Sequence, residues 1–158
     1  MPKIGVVHYN FPGDLEAFLD FAAEAGFEYT ELLADDFWQE GQSYEEALAG
    51  AERVRRLLDQ RGLKVSAVAA QNDFLVTSQE AMEFQVERLQ QVCRLADVLG
   101  TRLLRVDGGW PKEGVPEERW VELMIEGFSR CRGFIEQEGF QLALDNHGLV
   151  TNDADVQI

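Results

Sequence analysis

Short apolar segments alternate with longer segments of helical periodicity along the whole chain. The apolar segments are typical of strands that are covered on both faces. They are residues 3–8, 28–33, 64–70, 102–107 and 141–145. Each of the last four begins two residues after a Gly, which suits a left-handed stop at the end of the preceding helix. These glycines are Gly26, Gly62, Gly100 and Gly139. Strict alternation with short connections predicts a parallel sheet with right-handed crossovers.

The helical segments carry start signals. Asp14 is placed to cap the first helix, and Ser43 with Glu46 forms a capping box for the second. Thr77 predicts the same box for the third helix, and Pro116 suits the first turn of the fourth. Apolar residues at helical spacing predict one buried face on each helix. A fifth helix is predicted to begin within residues 151–158.

Two architectures satisfy this alternation, an open doubly wound sheet and a barrel. A doubly wound sheet expects a phosphate-cradling loop after its first strand, but residues 8–14, HYNFPGD, are bulky and acidic. We therefore predict an α/β fold of the parallel (β/α)8 TIM-barrel type, with about its first five β/α units and the barrel not closed. Residues 1–158 are expected to form a single partial domain that ends in the fifth helix.

Composition excludes several classes of protein. A formal charge of −15 repels a phosphate backbone, so nucleic acid is not an expected partner. Residues 1–13 lack the apolar core of a signal peptide and no stretch is long enough to span a bilayer, which predicts a cytoplasmic protein without a membrane partner. Cys93 and Cys131 belong to no CxxC pair, so we expect buried free thiols.

Polar side chains stand at the carboxyl end of every predicted strand, where barrel enzymes build their sites. Alternation in the fourth strand turns Leu104 and Val106 toward the helices and Arg105 and Asp107 toward the barrel interior. The strand-end residues are His8, Glu31, Asn72, Arg105, Asp107, Asp145 and His147.

Three strings around these strand ends match one family in order and spacing. They are Asn-Asp-Phe at 72–74, Leu-Arg-Val-Asp-Gly-Gly at 104–109 and Leu-Ala-Leu-Asp-Asn-His-Gly at 142–148. The chain resembles the sugar phosphate isomerase/epimerase family of the xylose-isomerase-like barrel superfamily. The resemblance implies a divalent-metal-dependent isomerase or epimerase that moves a proton through an enediolate, with a sugar or sugar phosphate as its small-molecule partner.

The resemblance also implies roles for individual residues. Asp145 stands where the family usually has the Glu that binds Mn²⁺, Mg²⁺ or Zn²⁺, and its side chain is one methylene shorter. The family's other metal ligands would lie beyond Ile158, so this chain alone does not fully ligate the ion. Asp145 and His147 are the candidate catalytic residues. The candidate substrate contacts are His8, Glu31, Asn72, Arg105, Asp107 and Trp110.

Structural roles compete with these assignments. Asp145 can close its turn by accepting backbone hydrogen bonds, Glu31 can pair with Arg105, and Asn72 can form a turn. His8 can be a buried structural histidine and Trp110 can simply pack in its loop.

Rival functions also stay open at this point. One is an apurinic endonuclease or inositol-ketone dehydratase relative on the same barrel. The other is a non-catalytic half-barrel, because open first and fifth strands would require an interaction partner or a homo-oligomer.

Overall fold

The computed structural model describes residues 4–147, 149–153 and 155. Strands and α-helices alternate along these residues. The strands are Gly5–Val7 (β1), Tyr29–Leu33 (β2), Lys64–Ala69 (β3), Leu103–Val106 (β4) and Gln141–Leu144 (β5). The helices are Leu15–Glu24 (α1), Tyr44–Arg61 (α2), Gln79–Leu99 (α3) and Trp120–Glu138 (α4). Two short 3₁₀ helices, Ala34–Asp36 and Glu117–Arg119, follow β2 and precede α4. The predicted fifth helix lies partly outside the described residues.

The five strands form one parallel sheet in the order β1-β2-β3-β4-β5. Gly5 lies opposite Tyr29 in the β1–β2 pair, and Tyr29 lies opposite Lys64 in the β2–β3 pair. The second register slips after Thr30, which leaves Ser66 unopposed, and the Ser66 hydroxyl donates to the Thr30 carbonyl at 3.2 Å. Because β1 and β5 stand at opposite ends of this order, the sheet is not closed. The prediction of a partial TIM-barrel fold is confirmed.

Sequence signals at the helix ends explain where most helices begin and end. The Asp14 carboxylate accepts from the Ala17 amide at 2.9 Å, and Ser43 and Glu46 form the predicted reciprocal box. The four glycines before the strands all have positive φ, between 70° and 88°. Left-handed backbone at these positions ends each helix, as the sequence predicted.

Two start signals are wrong in detail. The third helix begins at Gln79, and its cap is Ser78, whose hydroxyl accepts from the Ala81 amide at 3.1 Å. Thr77 is therefore one residue too early. Pro116 is not in the first turn of α4 but precedes the 3₁₀ helix that leads into it. Proline lacks an amide hydrogen, so it suits this position equally well.

The described residues divide into two compact units. The first is formed within Met1–Ala69 and Arg94–Leu103, and the second within Ala70–Cys93 and Leu104–Ile158. In the first unit the core contains apolar side chains of α1, β2 and α2, which include Phe18, Leu19, Leu32, Val54 and Leu58. In the second unit it contains Phe74, Leu75, Leu104, Val106, Met124 and Cys131.

Burial along β4 follows the predicted alternation. Leu104 and Val106 are 0% and 1% exposed, whereas Leu103 is 37% exposed and Arg105 is half-buried. Cys93 and Cys131 are both buried and are not joined in a disulfide, as expected. None of the helices in the described part of the chain is long and apolar enough to cross a bilayer.

Candidate active site

In the first unit, His8 forms a dyad with a carboxylate that the sequence did not single out. His8 follows β1, and its backbone amide donates to the Glu31 carbonyl at 3.0 Å. Its Nδ1 lies 2.6 Å from Oδ1 of Asp36, and its ring stacks on Phe18 with centroids 4.6 Å apart. The second Asp36 oxygen, Oδ2, accepts from the Leu33 amide at 2.8 Å. We call His8 and Asp36 the His8 dyad.

Asp36 is the buried member of the His8 dyad, with 7% of its side chain exposed against 16% for His8. Burial is the largest influence and raises the pKa of Asp36, while the Leu33 amide and His8 oppose that rise. Asp36 comes three residues after β2 ends. The strand-end rule that selected the other candidates would have found it if it had been extended past the strand by one turn.

Glu31 lies on the half-buried side of β2. Its neighbours Thr30 and Leu32 are both 0% exposed, so alternation places Glu31 on the opposite face of the strand. That face borders a cavity of about 540 Å³. The cavity is lined by Gly5, Val6, Val7, Tyr29, Glu31, Val65 and Ser66. A substrate contact by Glu31 stays a prediction.

In the second unit, the Asp145 carboxylate contacts the guanidinium of Arg105 and the imidazole of His147. Its amide extends the sheet by donating to the Val106 carbonyl at 2.8 Å. Its Oδ2 forms an ion pair with Arg105, and its Oδ1 accepts from the His147 amide at 3.0 Å and lies 2.7 Å from His147 Nδ1. The Asp145 side chain is 7% exposed, whereas that of His147 is 87% exposed. We call Arg105, Asp107, Asp145 and His147 the Asp145 cluster.

Asp107 is held in the cluster by Asn72. The buried Asn72 amide donates to the Asp107 carbonyl at 2.5 Å, and its oxygen accepts from the Asp107 amide at 3.0 Å. Both functional ends of Asn72 are therefore occupied by backbone. Asn72 positions Asp107, and its contact with substrate stays a prediction.

The two carboxylates of the cluster have pKa shifts in opposite directions. Burial is the largest influence on both. For Asp107 it raises the pKa, with Asp145 and Asp73 reinforcing the rise and Arg105 opposing it. For Asp145 the hydrogen bonds from His147 and Arg105 outweigh burial, so its pKa is lowered. Asp145 thus holds its negative charge more firmly than Asp107 does.

Trp110 is 53% exposed in the loop after β4. Its backbone amide donates to Asp73 Oδ1 at 3.2 Å, and the Lys112 ammonium pairs with Asp73 Oδ2. Asp73 also accepts from the Leu75 amide at 3.0 Å, so it joins its own loop to that of Trp110. No sequence signal pointed to Lys112, because it lies in a polar loop with no repeat or motif.

The described residues do not fit a divalent ion as they stand. Among them, no group of three His, Cys, Asp or Glu side chains is arranged to hold a metal. Both oxygens of Asp145, the one predicted ligand, are already bonded by Arg105 and His147. A cation there would have to displace the guanidinium.

Comparison with known proteins identifies the family of the chain. A family model described as a xylose isomerase-like TIM barrel matches residues 19–155. No curated protein matches the chain.

Solved structures resemble the fold at low sequence identity. A xylose isomerase domain protein from Alicyclobacillus acidocaldarius gives a TM-score of 0.68 at 19% identity, over 90% of this chain and 49% of its own. A D-psicose 3-epimerase solved in the presence of D-fructose gives 0.72 at 13%, over 96% and 55%. A family 2 AP endonuclease from Brucella melitensis gives 0.65 at 16%, over 96% and 58%. The chain spans about half the length of these proteins.

Proposed function

Because the chain belongs to the family of xylose isomerase-like TIM barrels, we propose that it contributes the β1–β5 part of a sugar or sugar phosphate isomerase or epimerase. The reaction would remove and return a proton beside a carbonyl, through an enediolate. Sugar epimerases among the solved structures with this fold, which include the D-psicose 3-epimerase, support this class of reaction. The observation that carries the proposal is the Asp145–His147 pair with Arg105 on its other oxygen.

The Asp145–His147 pair has the parts that proton transfer needs. Asp145 accepts a hydrogen bond at the Nδ1 side of His147, which leaves Nε2 of the exposed imidazole to take or return a proton. Arg105 keeps Asp145 ionised and brings positive charge close to where enediolate charge would develop. Asp107 and Trp110 would contact the substrate, as predicted from their strand-end and loop positions.

The resemblance also implies a divalent ion on Asp145, which would stabilise the enediolate when bound. Since the described residues do not fit that ion, no proton-transfer step is assigned to it. Nucleic acid is a less suitable substrate for this chain despite the AP endonuclease relative, because a charge of −15 repels the many phosphates of a nucleic acid backbone.

The proposal is tested by exchange of substrate protons with solvent. The full chain is incubated with D-fructose, other ketoses and their phosphate esters in D₂O, with EDTA or with Mn²⁺, and proton NMR follows the signals beside the carbonyl. We expect loss of one such signal for at least one sugar. Asp145→Asn and His147→Gln should abolish the exchange, whereas the exposed control Asp153→Asn should retain it. Absence of exchange from every sugar, with and without Mn²⁺, would refute the proposal.

A further inference from the structure

We infer that Asp36 is a positioning residue that holds His8 as its Nδ1–H tautomer, so that Nε2 accepts a hydrogen bond from a sugar hydroxyl. The identity of this ligand rests on the proposed function, whereas the tautomer does not. The His8 dyad lies entirely within the first unit, at the carboxyl ends of β1 and β2.

Hydrogen-bond accounting assigns the tautomer. The Leu33 amide can only donate, and it occupies Oδ2 of Asp36 at 2.8 Å. Oδ1 faces His8 Nδ1 at 2.6 Å. An ionised carboxylate offers no hydrogen, so the imidazole must supply the one between these atoms. A neutral His8 then carries its proton on Nδ1 and leaves a lone pair on Nε2.

The ring is held in orientation as well as in tautomer. Its stacking on Phe18 has an interplanar angle of 24°, and the His8 amide is tied to the Glu31 carbonyl. Within the described residues Nε2 has no hydrogen-bond partner. No fully buried side-chain nitrogen or oxygen in that same part of the chain lacks a partner, so Nε2 of the 16% exposed His8 side chain is not fully buried.

A bare Nε2 selects its ligand by hydrogen-bond polarity. It can accept from a hydroxyl but offers no hydrogen to a phosphate or carboxylate oxygen. The position therefore suits a hydroxyl of a sugar and disfavours the phosphate of a phosphorylated one. Among the ion pairs of the described residues, none joins Asp36 to a guanidinium, whereas Asp145 pairs with Arg105.

The tautomer can be read directly by long-range proton–nitrogen NMR on the full chain. The chain contains two histidines, so His147→Gln assigns the His8 signals. Spectra are recorded near pH 8, which is roughly 1.5 units above the pKa of an imidazole in water, so that a free imidazole is mostly neutral. We expect Nδ1 to be protonated and Nε2 to be bare. A wild-type spectrum with Nε2–H, with both nitrogens protonated, or with averaged tautomers would overturn the inference without any variant.

Asp36→Asn should reverse the tautomer. The new side-chain oxygen is required by the Leu33 amide, so its NH₂ group turns to His8 and Nδ1 must accept. The proton then moves to Nε2. Asp35→Asn, at an exposed position one residue earlier, is the matched control and should leave the wild-type tautomer in place. An unchanged tautomer in a folded Asp36→Asn protein would contradict the positioning role.

Sugar binding is tested in the same spectra. Titration with D-fructose should shift the His8 Nε2 signal in the wild type, and Asp36→Asn should weaken this binding about three- to tenfold, the value of one neutral hydrogen bond. Inorganic phosphate should leave the signal in place. An Nδ1–H tautomer without any sugar response would refute the ligand assignment at His8. The exchange assay on Asp145 variants fails or succeeds separately, so the two proposals are distinguishable.

Discussion

Replacing Asn72 by Asp changes one group in the side chain, and the structure predicts a large and pH-dependent cost. Asn72 is 1% exposed and hydrogen-bonds both backbone groups of Asp107. An ionised carboxylate would keep the bond from the Asp107 amide but place an oxygen against the Asp107 carbonyl. One lost hydrogen bond of about 1 kcal/mol and one unsatisfied buried acceptor of about 1–3 kcal/mol give a total of about 2–4 kcal/mol.

Protonation of the introduced carboxyl should recover most of this loss. Its O–H can donate to the Asp107 carbonyl while its other oxygen accepts from the Asp107 amide. The folded-state pKa of the new group is therefore raised above its unfolded value of about 3.9. The hydrogen bonds it makes when protonated are present below that unfolded pKa and are lost as pH rises through the folded pKa. Because one unit of pKa shift corresponds to about 1.4 kcal/mol, the free energy of unfolding should fall progressively from about pH 4 to about pH 7.

Urea unfolding followed by far-UV circular dichroism measures the effect. The free energy of unfolding of Asn72→Asp is compared with that of the wild type at the same pH, because Asp107 and Asp145 also titrate. The exposed substitution Asn152→Asp adds the same charge. It should cost less than about 0.5 kcal/mol both near pH 4 and near pH 7. A cost for Asn72→Asp that does not change with pH would refute the hydrogen-bond reasoning.

Three further outcomes follow from local geometry. Gly127→Ala should destabilise the chain by about 1–3 kcal/mol in urea unfolding, because a Cβ there overlaps the buried Phe74 ring. At Gly133 in the same helix an added Cβ would meet no other part of the described chain within 4 Å, so Gly133→Ala should stabilise by about 0.5–1 kcal/mol, and equal effects of the two substitutions would contradict the packing argument. Ser43→Ala should cost about 1 kcal/mol through the lost cap of α2, and no change in the urea midpoint would count against it. Burial raises the pKa of Cys131 to about 11, so its thiol should react with iodoacetamide at pH 8 only after unfolding, as mass spectrometry would show.

Local pattern was sufficient for most of the secondary structure. The five predicted strands match the observed ones to within two residues at each end among the described positions. Hydrophobic runs and left-handed glycines are local signals that need no tertiary partner. The start of α3 shows where this fails. Thr77 and Ser78 are both good caps, and choosing between them depends on how the helix packs.

The sequence predicted which residues lie at the candidate site, but it did not predict which of them bond to each other. The strand-end rule selected His8, Arg105 and Asp145 from the sequence. It gave no indication that Asp36 would bond His8, 28 residues away, or that Arg105 would pair with Asp145, 40 residues away. Such pairs depend on the register of neighbouring strands and on loop paths, which periodicity does not encode.

By itself, the sequence determined the alternation of strands and helices, the parallel connections and the line of polar residues at the strand ends. These follow from side-chain spacing and from backbone preferences that act over a few residues. Only the tertiary structure decided that both oxygens of Asp145 are occupied and that Asn72 serves the backbone of Asp107. The physical reason is that a buried polar group takes whichever partner the packed chain brings within hydrogen-bond distance, and that distance is set by residues far away in sequence.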